Sequence, residues 1–137
     1  MGSIYLAKLL HTSLYYDILV IRKDALLKDE ELKKKVKRQK DVLFVADHAF
    51  HKGMKNQFVQ EARIFFVTPH LQGISLSGFL QENGGVLQEA AIKFIAFQLV
   101  LAIGDLHSKD IMYRSLNPDN IFVEGDGYIK LISFENS

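Results

Sequence analysis

The chain of 137 residues carries 17 Lys+Arg against 16 Asp+Glu, a formal net charge of +1, and no cysteine. Its 48% hydrophobic content excludes intrinsic disorder, and the lack of thiols excludes a disulfide-stapled module. The length suits one domain, and the balanced charge gives no global pull toward nucleic acid or a membrane surface.

Residues 4–7 and 14–21 are rich in β-branched and aromatic side chains, which predicts two strands joined by a polar turn at Lys8–Ser13. Asp29–Ala46 reads as a helix. Leu32, Val36 and Leu43 share one side, while Lys33, Lys34, Lys35, Lys37, Arg38 and Lys40 cover the rest. Asp29, Glu30 and Glu31 occupy its first turn, where the helix dipole favours acid. The basic run is read as a solvated face; binding of acidic lipid or nucleic acid is the weaker alternative. Residues 54–59 and 63–68 predict a hairpin turning at Gln60–Ala62 and ended by Pro69. A short helix is expected at Leu76–Gln81, stopped by Gly84-Gly85.

The strongest helix spans 87–107. Ile92, Ile95, Leu99, Ile103 and Leu106 form a stripe that Phe94, Phe97 and Leu101 widen, so burial on more than one side is expected. Short strands follow at 121–123 and 128–132, joined by Glu124-Gly125-Asp126-Gly127, a strong hairpin signal. The longest apolar run, Phe94–Ile103, is broken by Gln98 and falls short of the roughly 18 residues that span a bilayer, so no membrane span is expected. Met1-Gly2-Ser3-Ile4 lacks the marks of a signal peptide, and Leu6 sits where myristoylation calls for Ser or Thr. Cytoplasm is the expected compartment. His48, His70 and His107 are too scattered for a zinc site.

The most specific stretch is Leu106–Asn120, which contains Tyr113-Arg114-Ser115-Leu116-Asn117-Pro118-Asp119-Asn120, followed by Gly127–Glu135. It resembles the catalytic core of eukaryotic protein kinases, most closely the AGC group, which writes Tyr-Arg-Asp where other kinases write His-Arg-Asp. Asp47-His48-Ala49-Phe50 resembles the His-Pro-Phe loop after the family's αC helix. Arg63–Leu71 resembles the strand entering the hinge, Tyr16–Lys23 the strand that carries the phosphate-binding lysine, and Gly2-Ser3-Ile4 the end of the glycine-rich loop. The resemblance implies an α+β fold. Residues 1–71 would form an N-lobe of antiparallel sheet plus αC, and 72–137 the first, helical part of a C-lobe, truncated after the Asp-Phe-Gly position.

The same alignment implies chemical losses. Protein kinases position MgATP and a hydroxyl with a few charged groups. The phosphate lysine falls on Leu19, its glutamate partner on Gln39, the catalytic aspartate on Ser115, the following lysine on Asn117, and the metal-binding aspartate on Ser133. Lys23, on the face of Leu19 but roughly 13 Å further along a strand, is not expected to substitute. Asn120 alone matches a metal ligand, and one neutral oxygen is a poor magnesium site. Each of these polar residues also has a bland reading, as satisfying loop backbone.

The implied nucleotide pocket comprises Ile4, Asp17, Leu19, Thr68, Leu71 and Phe122. It carries a carboxylate where the family's roof has alanine and a phenyl ring where its floor has leucine. Leu43, Met54, Tyr113 and Phe134, the implied regulatory spine, stay apolar or aromatic, and Tyr113 is read as a packed ring. No cofactor is expected, or MgATP if the chain is active. The expectation is a pseudokinase that binds another protein chain through the 87–107 helix, not nucleic acid. An active AGC-type serine/threonine kinase and a non-functional fragment remain alternatives.

Overall fold

The computed structural model describes residues 2–45 and 48–134. The elements run β1 (Ser3–Lys8), β2 (Tyr15–Arg22), α1 (Lys23–Lys28), α2 (Glu30–Val45), β3 (Asn56–Gln60), β4 (Arg63–Pro69), β5 (Gly73–Ser75), α3 (Leu76–Glu82), α4 (Glu89–Ser108), a 3₁₀ turn (Pro118–Asn120), β6 (Ile121–Glu124) and β7 (Ile129–Leu131). The first four strands form an antiparallel sheet in the order β1-β2-β4-β3, and β5-β6-β7 form a second antiparallel sheet. Gly2 lies just before β1, where a Cβ would come within 2.4 Å of the Val20 carbonyl oxygen, so glycine lets the chain close onto β2 there. In the β6–β7 turn, Gly127 takes φ 84°, a left-handed conformation that suits glycine.

Two apolar cores result. Ile21, Val36 and Phe66 seal α2 onto the first sheet, with Leu19, Leu26, Leu32 and Ile64 against them. The larger core joins Val42 and Leu43 of α2 to Ile95, Ala102 and Leu106 of α4, to Tyr113 and Phe134, and to the inner residues of β6 and β7. Met54 packs against both cores and ties the halves together.

Several expectations are corrected. Residues 23–28 form helix α1, so Lys23 opens a helix rather than continuing the strand, and its Nζ donates to the Glu61 carbonyl at 2.7 Å. Asp29 stands between two helices as a cap, its Oδ1 accepting from the Leu32 N–H at 2.9 Å. Three residues too short to show a period, Gly73-Ile74-Ser75, form a strand that completes the second sheet.

Helix α4 is buried on one side only. Ile95, Gln98, Ala102 and Leu106 face the core, while Phe97 is 63% and Val100 70% exposed. By length and composition α4 is also apolar enough to cross a bilayer, which counting uninterrupted apolar residues overlooked. Its buried face nevertheless carries Gln98, whose Oε1 accepts from Ile129 N–H at 3.0 Å and whose Nε2 donates to the Gly127 carbonyl at 3.3 Å. The helix is thereby clasped to the β6–β7 hairpin.

Candidate functional site

Strand alternation aims the first side chains. Ile21 is fully buried under α2, so Leu19 and Asp17, two and four residues back on the same face, point into the cleft below the sheet. Register then sets Ile4 opposite Leu19, Phe66 opposite Leu19 on the other flank, and Thr68 opposite Asp17. Gln39 and Leu43 close the cleft from α2, and Ile132 from the segment after β7, leaving a cavity of about 130 Å³. That volume is well below the roughly 300–1,000 Å³ of typical small-molecule pockets.

A side chain from an unexpected quarter crosses this cleft. The segment after α2 is pinned to β7, with Lys52 N–H donating to the Leu131 carbonyl at 2.9 Å and Leu131 N–H to the Phe50 carbonyl at 2.8 Å. From there Lys52 Nζ donates to Asp17 Oδ2 at 2.6 Å, and His70 Nδ1 lies 2.8 Å from Asp17 Oδ1. The Lys52 and Asp17 side chains are only 18% and 21% exposed. Burial pushes the Asp17 carboxyl up, but hydrogen bonds and charge from Lys52 and His70 outweigh it and hold the group below the usual aspartate value. Asp17 is therefore ionised near neutral pH and acceptor-only, so the His70 Nδ1 facing it carries the proton.

The pair divides the cleft. On its inner side lie Ile4, Leu19, Gln39 and Thr68; on its outer side a second cavity is lined by His70, Leu71, Gln72, Gly73 and Phe122, and both cavities share Asp17, Lys52 and Ile132. The six residues of the implied nucleotide pocket thus all border one cleft, parted by an ion pair.

Of the five chemical positions, the structure brings Leu19 and Gln39, an aliphatic chain and a neutral amide, to one cavity, beside Lys40, while Ser115, Asn117 and Ser133 line neither cavity. Ser115 is buried. Asn117 caps the 3₁₀ turn, its Oδ1 accepting from the Asp119 and Asn120 N–H groups, each at 3.0 Å. Asn120 donates its Nδ2 to the Ser115 carbonyl at 2.8 Å. Both asparagines thus satisfy loop backbone. Ser133 is half-buried beside Phe134. Among the described residues no three His, Cys, Asp or Glu side chains cluster as metal ligands. Asp47 and Glu135, at the His-Pro-Phe and Asp-Phe-Gly positions, lie outside the described residues.

The spine assembles as the resemblance implies. Leu43, Tyr113 and Phe134 are buried in one core with Met54 against it, and the Tyr113 and Phe134 rings meet edge to face at 5.4 Å. Burial pushes the Tyr113 hydroxyl up to about 12, which suits a packed ring. Lys52 is the site residue that sequence reasoning passed over. The one signal present was Asp17, a lone charge in the otherwise apolar stretch Leu14–Ile21; Lys52 sits among polar neighbours and carried none.

The comparisons agree with this geometry. Residues 1–137 match the protein kinase domain family. The eye isozyme of protein kinase C from Drosophila melanogaster is 31% identical over 97% of this chain and 19% of its own length. Human serine/threonine-protein kinase Sgk1 is 32% identical over 97% of this chain and 31% of its own. The crystal structure of Rad53 residues 1–466 in complex with AMP-PNP superposes with a TM-score of 0.85 at 24% identity, over 98% of this chain and 35% of that one. The chain therefore spans about a fifth to a third of the length of these curated relatives. With the fold, the assembled spine and the family match in agreement, the chain belongs to the protein kinase family and is similar within it to AGC kinases.

Proposed function

We propose that this chain is a kinase-derived module without phosphotransfer activity, which acts by binding another protein. The observation that carries the reading is the meeting of Leu19 and Gln39 in the cleft, where an ion pair would have to hold the phosphates of a nucleotide. Ser115 and Ser133 add no carboxylate for proton acceptance or for magnesium; a serine hydroxyl is no general base near neutral pH without a base of its own. The kinase relatives make MgATP the nucleotide to test. Binding to a protein chain is supported by the exposed face of α4, where Phe94, Phe97, Val100 and Leu101 stand together in solvent.

Thermal unfolding with and without millimolar MgATP tests the first half. A ligand at about 100 times its dissociation constant adds roughly 2.7 kcal/mol, a shift of several degrees. We expect no magnesium-dependent shift and no phosphate transfer to a basic peptide substrate. Transfer that vanishes on Leu19→Ala or Ser115→Ala would overturn the reading.

A further inference from the structure

We propose that the Asp17–Lys52 ion pair is itself the occupant of the cleft, an internal plug whose removal opens a site for a neutral, flat heteroaromatic ring of purine size. The inference rests on the reading above, that the wild-type cleft takes no nucleotide, and names the two residues that decide it. Neither residue alone explains the closure. Asp17 stands on β2 in the roof; Lys52 comes from the segment pinned to β7, and their 2.6 Å contact joins the two walls. The two cavities share both side chains, along with Ile132, so the pair borders each of them.

What remains of the walls suits a flat apolar ring. Leu19, Leu43 and Phe66 face the inner space, and Leu71 and Phe122 the outer. A neutral ring entering such a slot gains apolar contact but has to displace a charge-assisted hydrogen bond in a mostly dry place. It also has to strip Asp17 from His70, which holds Oδ1 at 2.8 Å. The two charged groups are partly shielded from solvent, and removing one leaves the other without its counter-charge, which costs more than removing both. Removal of both at once takes away the charge and the obstruction together.

The test compares wild type, Asp17→Ala, Lys52→Val and the double variant Asp17→Ala/Lys52→Val. Adenosine, which has no phosphate and needs no metal, is the probe, followed by equilibrium dialysis and thermal unfolding. We expect no saturable uptake by wild type and saturable uptake by the double variant, with its midpoint raised several degrees by millimolar adenosine. Each single variant should melt below both wild type and the double variant. A folded double variant that ignores adenosine, beside a wild type that ignores MgATP, sinks the plug while sparing the earlier reading. A wild type that binds MgATP sinks both. Should the double variant fail to fold, amine acylation of the wild type decides: Lys52 is expected to react at least several-fold more slowly than exposed Lys33. Equal rates overturn the proposal.

Discussion

His51 offers the sharpest test of the packing between the two halves. Its ring is fully buried, Nε2 lies 3.0 Å from the Ala102 carbonyl oxygen, and the ring meets Phe134 edge-on at 5.9 Å. A carbonyl only accepts, so Nε2 carries the proton and the neutral ring presents a bare Nδ1. That atom has no hydrogen-bond partner among the described residues; Asp105 Oδ2 stands 3.5 Å away, already bonded to Lys109. The His48 ring, at 5.2 Å, and Lys109 are further titratable neighbours. Burial lowers the His51 pKa, with His48 and Lys109 adding to the effect, and outweighs the pull of the Ala102 carbonyl and Asp105.

The sign follows from linkage. A ring kept neutral when folded takes a proton first in the unfolded chain, so stability is complete above the unfolded pKa of about 6.5 and falls as pH drops below it. At about pH 5 the unfolded ring has gained roughly 1.5 pH units of protonation, which at 1.36 kcal/mol per unit gives at most about 2 kcal/mol. For a chain of this size that is about 4–8 °C in melting midpoint. Melts at four pH values between about 7.5 and 5, for wild type and His51→Leu, read it out; titrating groups not coupled to His51 are common to both and cancel in the difference. The variant should lose less stability toward acid by up to that amount. Parallel curves would refute the assignment, and a wild type that gains stability relative to His51→Leu would mean an imidazolium paired with Asp105.

Gln98→Leu should cost about 2–4 kcal/mol in urea unfolding, because the buried Ile129 N–H and Gly127 carbonyl lose their partner, and the Ile129 amide should then exchange faster. Phe134→Ala empties the centre of the larger core and should cost about 3–5 kcal/mol, with Tyr113 losing its ring partner and its near-ultraviolet dichroism. Asn117→Ala removes a two-bond cap and should cost about 1 kcal/mol; a loss beyond about 3 kcal/mol would show a role larger than capping. Phe97→Glu with Val100→Glu alters only exposed positions. Stability should hold to within about 0.5 kcal/mol per site, while apolar-dye binding and self-association fall.

Much of the fold was legible because hydrophobic period and turn chemistry agree locally. Leu32, Val36 and Leu43 marked the buried side of α2, and the Gly125–Gly127 turn marked the β6–β7 hairpin, each within a residue or two of the structure. What escaped lacks a period or depends on distant chain. Residues 23–28 are one and a half turns long, and β5 exists because β6 supplies its hydrogen bonds. The breadth of the α4 stripe was visible, but not which side this chain covers. That side is chosen by Gln98, a polar residue which counts against burial until the Ile129 N–H and Gly127 carbonyl are known to meet it.

The candidate site shows the same limit more sharply. Read one position at a time, Asp17 is a carboxylate spoiling an apolar roof, and nothing along β2 says what it does. In three dimensions it is half of a pair, and Lys52 lies 35 residues away on a segment held by Leu131. An unpaired carboxylate so little exposed would lift its own pKa and weaken the sheet. With Lys52 and His70 in place the opposite holds, and Asp17 stays ionised. The spine residues Leu43, Met54, Tyr113 and Phe134 need only apolar bulk and keep it. Phosphate binding needs a charge aimed into the cleft; Asp17 and Lys52 are instead aimed at each other, and Lys40 of α2 is the other charged side chain on the inner lining. A cleft built this way is held closed by the same contact that joins its walls, so affinity for a ring and integrity of the joint should trade against one another in any variant that opens it.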